Sequence, residues 1–288
     1  MKILESKTAL IIISFLFLDA FLWYSVWASS LVNPKLYFLN VGQGDSQLIR
    51  LPGPNGRGIK MLIDGGPGKS VLGELQASLP ANDRYIDLLI ITHAEADHLD
   101  GFIEVLKRYE VGAFIYNGRG KDTVNWATLA SELKDKKIPV IIVGEGDRIR
   151  YGSELFTFIS PGPEFMKSEA LNDTGLVSLL LSNGVRTLFT ADIDSRVEDF
   201  LLDKYDLNID ILKVAHHGSR FSTTQNFLDH TMPKIAVIQV GKSNKYGHPN
   251  AEVIQRLVSS GARVFRNDEH GRVVVTLKNG EAEVLRER

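Results

Sequence analysis

The chain has 288 residues, with 44% hydrophobic and 24% charged side chains, 33 Lys plus Arg against 35 Asp plus Glu, seven His and no Cys. That is the mix of an ordinary globular protein and excludes a disordered or collagen-like chain. A mean hydropathy near zero with one long apolar run excludes a many-pass membrane protein. The net charge of −2 argues against a broadly basic nucleic-acid surface but leaves room for a local basic rim. Without Cys there are no thiolate metal sites, cysteine nucleophiles or disulfides, and their lack assigns no compartment.

The first element reads as a membrane address. No Lys or Arg occurs from Thr8 to Pro34, and the apolar run from Ala9 to Val32 exceeds the roughly 20 residues a bilayer demands. Lys2 and Lys7 precede it, and positive flanks stay cytoplasmic, so everything after Pro34 is expected outside. Trp23, Tyr24 and Trp27 suit an interfacial aromatic belt. Asp19 is the awkward residue, since a carboxylate in mid-bilayer costs about 3 kcal/mol. It keeps open a cleaved signal peptide with Val26-Trp27-Ala28 as the cleavage site, or a buried helix of a soluble domain. Residues 1–34 are thus expected to be an anchor or signal segment and 35–288 one extracytoplasmic α/β domain.

Beyond Pro34 the pattern starts with strands at Lys35–Val41, Gln47–Leu51 and Ile59–Asp64, spaced by turn residues. It then alternates: a helix at Val71–Leu79, a buried strand at Ile86–Thr92, an amphipathic helix at Leu99–Tyr109, a strand at Val111–Tyr116, a helix at Trp126–Lys136 and a strand at Val140–Val143. The second half repeats the theme, with hairpin strands at Glu154–Ser160, Leu176–Leu181 and Thr187–Thr190. A helix near Ser195–Lys204 follows. Strands at Ile211–Ala215, Ile235–Val240 and Arg263–Phe265 alternate with helices near Thr224–His230 and Asn250–Ser260, and strands Arg272–Leu277 and Ala282–Leu285 close the chain. Two halves that each run from hairpins to alternating strands and helices predict two packed sheets with helices outside.

Five of the seven His fall in three short strings. The densest is Thr92-His93-Ala94-Glu95-Ala96-Asp97-His98, directly after an apolar strand and before a helix. His93, Glu95, Asp97 and His98 offer imidazole nitrogen and carboxylate oxygen, which Zn²⁺, Mn²⁺ and Fe accept. Asp192 ends a second apolar strand; by itself it reads equally well as a helix N-cap. His216-His217-Gly218-Ser219 ends a third, with Ser219 in support, and His248 sits in a loop before a helix. The glycine-rich Gly42-Gln43-Gly44-Asp45-Ser46 lets backbone pass close to the metal loop, and Asp45 could orient a ligand His from behind; Asp64-Gly65-Gly66 ends a strand similarly, with Asp64 in support. Neither is a P-loop, which needs Lys-Ser/Thr after the glycines. Arg220, Lys242 and Lys245 are cations where a phosphate chain could lie, and Tyr246 and Phe221 could stack on bases, though solvated loops are an equally plain reading.

His93-x-Glu95-x-Asp97-His98, with Asp192 and His216-His217 downstream, resembles the metallo-β-lactamase fold superfamily, a four-layer αββα sandwich. A narrower resemblance links Phe38–Ser46, Leu62–Gly66, Lys213–Ser219 and Gly247-His248-Pro249 to the extracytoplasmic hydrolase domain of ComEC-type competence DNA-uptake proteins and their stand-alone relatives. It implies His93 and Glu95 at a first metal site, Asp97 and His98 at a second, Asp192 bridging, and His216 or His217 as the last ligand, with His216 slightly favoured. His248 would stabilise a developing oxyanion, and Asp97 would position the attacking water. Glu95 departs from the family's usual residue. Asn172 stands where the wider superfamily has His, a weak neutral ligand that depletes the first site and favours Mn²⁺ over Zn²⁺, with one or two ions bound. The resemblance implies a phosphodiesterase acting on single-stranded DNA, with a possible uptake channel as partner. Alternatives are another ester or amide hydrolase (lactonase, thioesterase or β-lactamase) and a non-catalytic module of an uptake or envelope assembly.

Overall fold

A computed structural model describes residues 11–24, 33–53 and 58–287. In chain order, residues 11–24 form a helix (α1). Then come β1 (Lys35–Phe38), β2 (Gln47–Leu51), β3 (Ile59–Ile63), α2 (Ser70–Ser78), β4 (Tyr85–Ile90), α3 (Ala96–Leu106), β5 (Glu110–Tyr116), α4 (Val124–Asp135) and β6 (Val140–Ile142). The second half holds β7 (Arg148–Tyr151), β8 (Glu154–Ser160), β9 (Val177–Ser182), β10 (Val185–Phe189), α5 (Ser195–Lys204), β11 (Ile211–Lys213), α6 (Gln225–Thr231), β12 (Ile235–Ile238), α7 (Ala251–Ser259), β13 (Arg263–Arg266), α8 (Asn267–His270), β14 (Arg272–Lys278) and β15 (Glu281–Glu287).

Among the described residues the strands form two sheets. One has the order β15-β14-β1-β2-β3-β4-β5-β6, the other β13-β12-β11-β10-β9-β8-β7. The parallel stretches, β3 to β6 and β10 to β13, are where the sequence alternates strand and helix, because a parallel neighbour needs a crossover. The hairpin β14–β15 returns to the first sheet beside β1, so the two halves of the chain are stitched together.

Three apolar layers hold this together. Phe38, Ile49, Phe156, Phe158, Phe189 and Val273 lie between the sheets. Leu62, Leu89, Phe102, Phe114 and Leu129 seal α2, α3 and α4 to the first sheet, and Leu188, Val197, Leu212, Phe227 and Val253 seal α5, α6 and α7 to the second. Helix, sheet, sheet, helix is the layering expected from the sequence. The edge strand β7, read Arg-Ile-Arg-Tyr, and the short turns Leu171–Thr174 and Ala215–Gly218 were not foreseen: they are too short or too polar to show apolar periodicity.

Of the segment expected to span a membrane, residues 11–24 are helical, and residues 1–10 and 25–32 lie outside the described ones. No helix among the described residues is long and apolar enough to cross a membrane. Large apolar side chains of α1, Phe15, Phe17, Phe21 and Trp23 among them, are exposed.

Glu198 on α5 anchors the loop that follows His217. Its fully buried carboxylate accepts the backbone N–H groups of Thr223 and Thr224, and burial pushes its pKa up. Ser222 Oγ donates to Ile193 O at 2.7 Å, and Arg256 donates to the carbonyls of Ser222 and Thr223. Glu198→Ala strands two buried amides at about 1–3 kcal/mol each, less the desolvation regained, so a loss of about 2–4 kcal/mol is expected in urea unfolding.

Candidate metal centre

The candidate residues sit at the carboxyl ends of strands that lie side by side. Asp64 follows β3 and His93 to His98 follow β4, its parallel neighbour. Asp192 follows β10, His216 and His217 follow β11, and His248 lies between β12 and α7, on three consecutive parallel strands. In open α/β sheets this edge is where ligands bind.

At the seam between the sheets one ligand-type atom from each of Asp97, His98, Asp192 and His217 lies within 4.8 Å of the others. His98 Nε2 is 3.4 Å from Asp192 Oδ2, and His217 Nε2 is 3.3 Å from both Asp97 Oδ2 and Asp192 Oδ2. The opposite nitrogens face outward onto fixed acceptors. His98 Nδ1 is 2.8 Å from Asp64 Oδ2, and that carboxylate is itself held by Thr92 N–H and Oγ1 at 2.8 Å each. His217 Nδ1 is 2.9 Å from Gln239 O and 3.2 Å from Asp45 Oδ1. Such backing fixes each ring's orientation and turns its Nε2 edge inward.

Burial disfavours charge throughout the group, and partners decide the outcome. Burial pushes Asp97 and Asp192 up, but the His217 and His98 imidazoles outweigh it and hold both carboxyls below the usual range. Burial pushes His98 and His217 down, but Asp192 with Asp64 or Asp45 raises both well above an ordinary imidazole. For His93 burial and the His98 charge outweigh the pull of Asp192, Asp97 and Asp45 and lower it to about 3, so it is neutral.

This donor set fits a divalent cation. The Nε2 atoms of His93 and His98 are buried without a hydrogen-bond partner among the described residues, a costly arrangement unless something else binds them. Nitrogen and carboxylate oxygen in this mixture suit Zn²⁺, Mn²⁺ or Fe.

The remaining predicted residues divide. His93 packs beside His98, ring centroids 4.2 Å apart and planes tilted by 52°, with Nδ1 3.0 Å from Thr92 Oγ1. Glu95 turns outward and pairs with Lys121 Nζ at 2.8 Å, outside the four-residue group. Asn172 lies in the turn Leu171–Thr174, where its carbonyl accepts Gly175 N–H. His217 joins the group and His216 does not: its Nε2 is 3.9 Å from Asp192 Oδ2 and its side chain is a third exposed. The backbone makes this choice. Both residues adopt left-handed φ, 49° and 54°, which turns one ring inward and the next outward. Ser219 is buried, its N–H on His216 O. Arg220, Lys242, Lys245 and Tyr246 are exposed, Arg220 on the loop after His217 and the others on the loop that carries His248. The Arg220 guanidinium lies 4.8 Å from the Phe221 ring and Lys245 Nζ 5.2 Å from the Tyr246 ring.

Sequence reading missed Lys213 and Gln239. Lys213 is 1% exposed and its ammonium contacts the Asp45 carboxylate, donates to Ala191 O at 3.0 Å and faces Asp192 Oδ1 at 3.7 Å. Lys213 and His217 outweigh burial to keep Asp45 below the usual carboxylate range. A charge inside the apolar run Ile211-Leu212-Lys213-Val214 was the available signal, because lone buried cations do not persist unpaired. Gln239 follows β12 and ties the sheets, its side-chain amide donating to Leu39 O and Ser46 O at 3.0 and 2.8 Å while its backbone carbonyl holds His217. Gly44 is required by contact: a Cβ there would stand 2.2 Å from Asp97 O.

Comparison with known proteins agrees with this geometry. The chain is 31% identical over 265 residues to ComE operon protein 3 of Bacillus subtilis, covering 84% of this chain and 33% of that protein. It is 28% identical over 252 residues to Competence protein ComA of Neisseria gonorrhoeae, covering 86% and 33%. The chain thus spans about a third of the length of these curated relatives. Among solved structures, CmlA, a diiron beta-hydroxylase from Streptomyces venezuelae, superposes with a TM-score of 0.54 at 16% identity over 89% of this chain and 54% of that one, a likeness of fold. Residues 39–242, from the end of β1 through the loop that carries Lys242, match the pattern of the Metallo-beta-lactamase superfamily, and the chain belongs to that superfamily.

Proposed function

We propose that the chain is a divalent-metal-dependent phosphodiesterase that cuts single-stranded DNA outside the cytoplasm, held at the membrane by its N-terminal helix. The observation that carries this reading is the convergence of Asp97, His98, Asp192 and His217, with exposed cations and aromatic rings on the loop after His217 and the loop that carries His248. A non-catalytic module would have no need to keep these four together. When bound at these residues, one or two Mn²⁺ or Zn²⁺ ions supply Lewis acidity toward a phosphodiester and its attacking water.

The residues around that position have separable tasks. Asp97, 3.3 Å from His217 Nε2, is placed to accept a hydrogen bond from the attacking water. His248, half-buried beside His216, can donate to an oxygen that gains negative charge in the transition state. Arg220, Lys242 and Lys245 attract the phosphate chain, and Phe221 and Tyr246 offer faces on which unpaired bases stack. The competence names carried by the relatives support DNA as the substrate. The exposed apolar side chains of α1 support a membrane partner. A DNA-uptake channel would then be a separate partner.

The test is incubation of the purified full chain with Mn²⁺ or Zn²⁺ and end-labelled single-stranded DNA. Metal-dependent cleavage that disappears in Asp97→Ala, by at least ~10³-fold, is expected. Bound metal by elemental analysis with hydrolysis of a lactone or thioester and no phosphodiester would move the activity to another ester. An Asp97→Ala chain as active as the parent would trace the activity to a contaminant.

A further inference from the structure

His216 is left without a task by the convergence of its neighbour. Two consecutive non-glycine residues in the left-handed region are costly, on the order of 1 kcal/mol each, and such strain persists where a site uses it. Here it aims two adjacent rings apart: the centroids of His216 and His217 are 6.1 Å from one another with planes at 73°. His217 points into the ligand group. His216, its Nε2 3.9 Å from Asp192 Oδ2 but outside the four-residue group, sits beside the next loop, where its ring lies 5.9 Å from that of His248, edge to face at 65°.

The two loops are built to meet. Asn250 N–H donates to Gly218 O at 2.9 Å. Gly218, at φ 81°, passes so close to Pro249 that a Cβ would stand 2.6 Å from the Pro249 Cβ, so any side chain there would push His216 and His248 apart. The His248 loop is clamped by the Asn244 amide, which donates to Gly241 O and His248 O and accepts Tyr246 N–H and His248 N–H. Among the described residues neither imidazole makes a hydrogen bond, and both are partly open to solvent. The ring row continues outward, Tyr246 lying 6.0 Å from His248 and nearly parallel at 16°.

We propose that His216 and His248 form an imidazole pair that grips one non-bridging oxygen of the scissile phosphate, with Tyr246 stacking under the adjoining base. His216 is thereby a substrate-binding residue and not a metal ligand. This role rests on the phosphodiesterase reading above. Two N–H donors on one anionic oxygen suit a phosphate, which offers several acceptors, better than a lactone or thioester, which offers a single polarised carbonyl.

The test uses the Mn²⁺-loaded full chain with inorganic phosphate as probe, measured calorimetrically, alongside metal content and the kinetics of bis-(p-nitrophenyl) phosphate hydrolysis. His216→Gln is expected to retain all bound Mn²⁺ while its phosphate Kd and its KM rise about tenfold, the fold-change of one charge-assisted hydrogen bond, with kcat nearly unchanged. His248→Gln, on the separate loop, should weaken phosphate by a similar factor, and the double variant by less than the product, since both rings serve one oxygen. Loss of a Mn²⁺ equivalent from a folded His216→Gln chain would overturn the assignment. So would an unchanged phosphate Kd, or multiplicative losses in the double variant. Phosphate binding needs no turnover. A parent chain that binds phosphate through both imidazoles yet cleaves no phosphodiester would sink the phosphodiesterase reading and leave the anion grip standing.

Discussion

Asp192→Asn should cost the chain its bound cation and at least ~10³-fold in kcat/KM toward a phosphodiester, about 4 kcal/mol of transition-state stabilisation. The size of the effect follows from position. Oδ2 of Asp192 is the common neighbour of His98 Nε2 at 3.4 Å, His217 Nε2 at 3.3 Å and His216 Nε2 at 3.9 Å. No other carboxylate oxygen among the described residues lies so close to three imidazoles. An amide of the same shape keeps the volume but loses the negative charge that binds a divalent ion. Its NH₂ group would also face the Nε2 edges on one side or the Lys213 ammonium on the other. Elemental analysis and a circular dichroism spectrum on the same sample separate metal loss from unfolding. Full metal content in a folded Asp192→Asn chain would remove this carboxylate from the ligand set.

Lys213→Met is expected to be the most destabilising single change in the site, lowering unfolding free energy by about 3–5 kcal/mol. Both Lys213 and Asp45 are essentially inaccessible to water, so deleting the ammonium leaves a buried carboxylate with only the His217 imidazole, 3.2 Å away, to offset its charge. That is a large share of a typical stability of about 5–15 kcal/mol. Asp45→Asn in the same chain should recover part of the loss, because the uncompensated charge goes with it. Urea midpoints at constant slope decide it. A Lys213→Met midpoint close to that of the parent would mean that the pair is not the tie the distances suggest.

The strand-end placement of the chemistry was legible because each His or Asp follows directly on an apolar run. The helix after His98 and the sheet pairing implied by alternating strands could be read the same way. Three features could not be read. Which of His216 and His217 faces inward depends on two left-handed backbone conformations, and sequence periodicity carries no φ. Glu95 is drawn away by Lys121, 26 residues later and on another loop, a pairing that only tertiary structure creates. Lys213 interrupts an apolar strand, and its counter-charge, Asp45, lies far away in sequence, in the loop between β1 and β2 of the opposite sheet.

Asp97 and His98 hang from the first sheet and Asp192 and His217 from the second. Any ion they share is therefore a rivet through both halves of the molecule. Loading and folding then draw on one equilibrium: at a thousandfold excess over its dissociation constant, the ion contributes about 4 kcal/mol to keeping the halves closed. A chelator would then weaken the fold of this protein as well as stop its chemistry, and scarcity of the ion would register as a shorter lifetime of the chain itself.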